Sequence, residues 1–202
     1  MESEAGDNAK NLWKNQQVEP IQISLAELRK RAQKLEKRIH RRNLREYVAG
    51  AIVIACFGYY IFRFPDPMIR FGCVLVIASS LFVLYQLRKR GAARAVPAEM
   101  AFRDCLDFHR KELERQRDLL RSVWTWYILP LVPGVLVFML GDFQWQMTLP
   151  NAAVHAGHVK ILFGLRVAIV VVIFIGVGKL NQWAARRLQR RIDALNSVEK
   201  EF

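Results

Sequence analysis

In 202 residues this chain combines 52% hydrophobic and 24% charged residues with a formal net charge of +13 and three cysteines. The hydrophobic and charged classes are segregated along the chain, which excludes a uniformly soluble domain. No P-loop, dinucleotide fingerprint, Ser/His/Asp or Cys/His arrangement is present, so no enzyme class is indicated and no cofactor is expected.

Residues 1–23 read as a flexible polar tail with one large aromatic, Trp13, in Leu12-Trp13-Lys14-Asn15-Gln16. An aromatic in a polar tail suits docking on a partner. Ser24-Leu25-Ala26-Glu27 then matches a capping box. Leu25, Leu28, Ala32, Leu35 and Ile39 follow at spacings of three and four, one apolar seam on a helix over 24–46. Leu28, Leu35 and Ile39 join Trp13 as expected partner-binding residues. Lys37, Arg38, Arg41, Arg42 and Arg45 crowd the end of this helix, where anionic lipid headgroups are the expected ligand. Charge placed this way favours lipid over nucleic acid.

Four apolar runs follow, over 47–62, 71–85, 123–140 and 161–178. A bilayer span needs roughly 20 predominantly apolar residues, which each run reaches or approaches with its flanks. The first two form a transmembrane hairpin over 47–90. Asp66 is its candidate N-cap, Pro67 suits the first helical position, and Gly91 is the expected C-cap. Residues 91–122 read as a polar helix opened by Pro97, with a seam at Phe102, Leu106, His109, Leu113, Gln116, Leu120 and Val123 that runs straight into the third span. The third and fourth spans, within 123–178, enclose an outer loop over 141–160. The last helix, over 179–202, repeats Ala184, Leu188, Arg191, Leu195 and Val198, with Ile192 able to widen the seam.

Segments 1–46, 88–122 and 179–202 hold 11, 10 and 6 of the 31 Lys and Arg residues. The positive-inside rule therefore places both termini and the middle segment in the cytoplasm. The expected fold is all-α: a four-helix transmembrane bundle whose amphipathic extensions form a cytoplasmic bundle.

Within the runs, Arg166 is the membrane charge. It lies near the outer end of the fourth run with no acidic residue inside any run to pair with it, so it is expected to snorkel. Pro130 and Pro133-Gly134 interrupt the third run and could line a site. Small residues at Ala51, Ala55 and Gly58, and at Gly164 and Ala168, permit close helix approach within the chain or between two copies. His155 and His158 are spaced for a helical turn but lack an evident third metal ligand beyond Asp142. Trp124, Trp126, Trp145 and Trp183 suit an aromatic belt.

Leu12-Trp13-Lys14-Asn15-Gln16, Ser24-Leu25-Ala26-Glu27-Leu28-Arg29 and Arg41-Arg42-Asn43-Leu44-Arg45-Glu46-Tyr47 together resemble stretches of uncharacterised bacterial four-span inner-membrane proteins. Some of these resemble, in layout, membrane-bound anti-sigma factors; the His-x3-Cys-x2-Cys zinc signature of the latter is not present here. The resemblance implies a bacterial inner-membrane regulator or scaffold whose cytoplasmic helices bind a soluble, sigma-factor-like partner. The alternative is a small transporter or channel subunit working through Arg166 and the Pro130/Pro133 break.

Overall fold

The computed structural model describes residues 25–94, 102–150 and 152–200, with side chains over 26–94, 103–150 and 157–196. The described residues are helical apart from short connections, and no strand occurs among them. Helix α1 spans Leu25–Arg63, α2 Pro67–Gly91, α3 Phe102–Arg121, α4 Leu129–Thr148 and α5 Ala152–Lys200, with a π-helical turn at Trp124–Ile128 between α3 and α4. Ser24, Pro97 and Trp13 fall outside the described residues.

Four helices are long and apolar enough to cross a membrane: α1, α2, the π turn with α4, and α5. Their partners differ. None of the apolar window of α1 is buried within the chain and only 6% of that of α5, against 33% for α2 and 22% for α4. The α2–α4 pair is therefore central, with α1 packed on α2 and α5 on α4. Glycine makes the central contact possible. A Cβ on Gly72 would lie 2.5 Å from the Phe138 amide nitrogen, on Gly134 2.7 Å from that of Val76, and on Gly141 2.9 Å from that of Ile69. These helices meet backbone to backbone, as small residues allow. The small residues that invited close approach from sequence do not supply it within the described chain: a Cβ on Gly58 or Gly164 would meet nothing within 4 Å, and Ala51, Ala55 and Ala168 are exposed.

The α1–α2 turn follows its sequence signals. Asp66 Oδ1 accepts from the Met68 and Ile69 amides at 2.9 Å each, and Pro67 starts the helix. The far end of α2 does not. Gly91 remains helical and buried, and the cap is Ala92 with ordinary extended angles. A left-handed glycine is not needed because side chains satisfy the last carbonyls. Asn43 donates to Gly91 O at 2.7 Å, and Arg115 donates to Arg90 O at 2.9 Å and to Ala92 O.

The segment 141–160, expected as an outer loop, is helical over 141–148 and 152–160. Gly141 packs on α2, and Gln146 Nε2 bonds Asp142 Oδ2 at 2.7 Å one turn away. Both extend α4 past its apolar run. Leu149 then turns extended, as a residue before proline prefers. Nor does α3 run straight into the next helix. Pro130 and Pro133 withdraw two backbone donors, and the ladder widens just ahead of them into the π turn, where the Leu129 amide bonds Trp124 O. Neighbouring groups settle the break: Trp126 Nε1 donates to Leu119 O at 3.0 Å and Ser79 Oγ to Pro130 O at 2.6 Å. Trp126 is thus buried rather than part of an aromatic belt.

At the polar end, Leu35 and Ile39 of α1, Leu113 of α3, and Ile192 and Leu195 of α5 form one apolar cluster, with Leu106 and Leu188 packed against it. The seams of α3 and α5 are rotated slightly from the expected ones: Cys105 and Leu119 are buried on α3, and Ala185 and Ile192 on α5, while Arg191 stays exposed.

Candidate functional site

The densest chemistry lies where the polar cluster meets the apolar helices. Arg42 and Asn43 come from α1, Glu112, Arg115 and Gln116 from α3, and the carbonyls of Arg90, Gly91 and Ala92 from the end of α2. Arg42 Nη2 donates to Gln116 Oε1 and to Asn43 Oδ1, each at 3.1 Å. Gln116 Nε2 donates to Glu112 Oε1 at 3.1 Å, and Arg115 Nη2 reaches the same oxygen at 2.7 Å. A turn further on, Tyr127 Oη donates to Glu46 Oε2 at 3.1 Å. Asn43, Glu112 and Gln116 are buried, yet each has partners, which is what retains a polar group inside a fold. Burial pulls the Arg42 guanidinium below its ordinary range; Glu46 pushes it back up, and Arg115 adds to the lowering.

This network joins three helices and supplies no open nucleophile, base and oxyanion donor arranged together. Its chemistry is that of a joint. Asn43→Leu should therefore reduce thermal stability by about 1–3 kcal/mol, the range for a buried hydrogen bond whose partner is left unsatisfied. A melting curve in detergent checks this, and an unchanged midpoint would show that Gly91 O is satisfied without Asn43.

His109, on the same face of α3, is buried, and its Nδ1 has no hydrogen-bond partner among the described residues. Burial holds its pKa below the ordinary value, helped by Arg31 and Arg191 and opposed by Glu112. The folded chain thus favours neutral imidazole. Its contribution is fully present above the unfolded value of about 6.5 and is lost as pH falls through the lower folded value. Stability should fall between pH 7.5 and 5.5 more steeply in the wild type than in His109→Gln, read from paired melting curves.

At the opposite end, α1, α4 and α5 enclose a cleft of about 440 Å³ lined by Tyr60, Phe64, Phe138, Phe163, Asp142 and Arg166. Arg166 is ion-paired with Asp142 there. This corrects the expectation that the charge has no acidic partner. Asp142 lies two residues beyond the third apolar run, and the continuation of α4 brings it alongside α5.

The other sequence-selected residues separate. Leu28, Leu35 and Ile39, expected to meet a partner, are buried within the chain at 0%, 6% and 4% exposure. Arg42 turns inward to Gln116, apart from the headgroup cations among which it was counted, while Lys37, Arg38, Arg41 and Arg45 stay exposed. Trp13 lies outside the described residues. His155 and His158 sit in the first turns of α5, the side chain of His155 outside the described set. Cys73 and Cys105 are buried and Cys56 is exposed, all as free thiols. Sequence reasoning missed the joint because its acceptors are backbone carbonyls, which no side-chain motif announces. The polar interruptions His109 and Gln116 in an apolar seam were the available signal.

No protein family, curated protein or solved structure compared with the chain matches it.

Proposed function

We propose that this chain is a multi-pass protein of a bacterial inner membrane, with both termini and the α2–α3 connection in the cytoplasm. There it acts as a non-enzymatic regulator or scaffold. The observation that carries this reading is the continuity of α1 and α5. Each runs unbroken from an apolar stretch into the polar cluster, so a shift in membrane packing moves the polar helices, and a partner's hold on those helices feeds back on the span. The exposed apolar faces of α1 and α5 suit lipid or a second copy of the chain. Lys30, Lys34 and Arg38 on the exposed part of α1 suit a soluble partner with an acidic face, and a sigma-factor-like protein is the class the resemblance implies. Trp13 is the proposed tail anchor.

Photo-crosslinking in intact cells tests this. A crosslinker at Lys34 should capture one soluble protein, with capture reduced in Trp13→Ala, because truncating an aromatic anchor costs about 2 kcal/mol at a hot spot. Absence of any such adduct would refute the scaffold. The transporter reading has its own support in the Arg166–Asp142 pair within an aromatic cleft. Arg166→Gln abolishing solute flux in proteoliposomes would establish it instead.

A further inference from the structure

An open groove of about 710 Å³ runs along α1 beside the end of α2. Lys37, His40 and Arg41 line it, followed by Leu44 and Tyr47, with Glu36 as the one acid among its described lining residues. Among the described residues, none of Lys37, His40 or Arg41 is hydrogen-bonded or ion-paired, which sets them apart from Arg42 and Arg115 a few residues away. The face they share continues along the helix. Spacings of four and three carry the Lys37–Arg41 face to Leu44, Val48 and Ile52, and these three are each more than half exposed. One face of one helix therefore presents unpaired positive charge and then bare apolar surface. From Leu44 to Ile52 the stripe covers about 12 Å at ~1.5 Å per residue, close to one leaflet of a hydrocarbon core about 30 Å thick.

We propose that this groove is a binding site for a single anionic phospholipid. Its phosphate sits against Lys37, His40 and Arg41, and one acyl chain lies along Leu44, Val48 and Ile52. The site rests on the reading that α1 crosses a bilayer. It goes beyond general attraction of basic residues to a charged surface because it assigns the work to two of the exposed cations and not to their neighbours. Arg38 and Arg45 belong to the same basic run and are also exposed, but they lie outside the groove lining.

The test uses the full chain purified in neutral detergent, with native mass spectrometry counting bound phosphatidylglycerol across a titration. Wild type should hold one molecule tightly. Lys37→Gln with Arg41→Gln should weaken it by about 25-fold, from about fivefold for each cation at a membrane surface. Arg38→Gln with Arg45→Gln, the same change in net charge, should weaken it far less, because neither side chain lines the groove. Glycerol phosphate, the headgroup without its chains, should compete poorly. Equal losses in the two double variants would reduce the site to diffuse charge and overturn the proposal. Glycerol phosphate binding as tightly as the lipid would make it a free-phosphate site and remove the acyl track, and a wild type that retains no lipid would remove the site altogether. Alkaline extraction of native membranes separates this from failure of the spanning reading. A chain that resists extraction yet fails the lipid arms loses only the groove, whereas one released by alkali loses its spans.

Discussion

Gly134→Val should separate α2 from α4 and unfold the centre of the molecule. The new side chain would begin 2.7 Å from the Val76 amide nitrogen, and backbone cannot rotate away as a side chain can. Overpacking a tight core costs about 1–3 kcal/mol and sometimes more, and a clash with main chain belongs at the upper end. Gly72→Val meets the Phe138 backbone in the same way. Gly58→Ala and Gly164→Ala provide the comparison, since both positions face open space and alanine has the higher helix propensity. Denaturation in mixed micelles followed by helicity should show a large loss for the first pair and none for the second. If Gly134→Val is tolerated as well as Gly58→Ala, α2 and α4 do not meet as described.

The second large effect is expected from Leu35→Asp. Leu35 is packed among Ile39, Leu113, Ile192 and Leu195, and loss of a buried leucine costs about 2–5 kcal/mol before any charge is considered. A carboxylate there has no described basic partner in the cluster and adds a desolvation penalty of its own. The polar end of α1 should come away from α3 and α5 while the apolar helices remain inserted. Limited proteolysis of inverted vesicles should then cut within 25–46 and 179–196, with the chain still in the membrane fraction. An unchanged digestion pattern would mean that these helices stand independently.

Much of this architecture is legible from residue pattern alone. The apolar runs announce four long helices, and the spacing of Leu28, Ala32, Leu35 and Ile39 announces the buried face of α1. Asp66-Pro67 marks the start of α2 because both residues act locally, through a cap and a fixed φ. What escaped the pattern depends on neighbours distant in sequence. Gly91 looks like a C-cap until Asn43, 48 residues away, bonds its carbonyl. Arg166 looks partnerless until α4 outlasts its hydrophobic run and delivers Asp142. Gly72, Gly134 and Gly141 carry no signal of contact in the residue pattern, and only the facing backbone shows them to be contacts. Arg42 cannot be told from Arg41 by composition, yet one helical position turns it from a groove to a joint.

Topology tests the central claim most directly, because the regulator and the lipid groove both assume four spans with the basic ends on one side. Reporters that distinguish the two faces of the membrane should be fused after Arg94 and after Lys200, and a third inserted after Leu149. The first two should read cytoplasmic and the third external. A cytoplasmic reading after Leu149, or an external one after Arg94, would contradict the account.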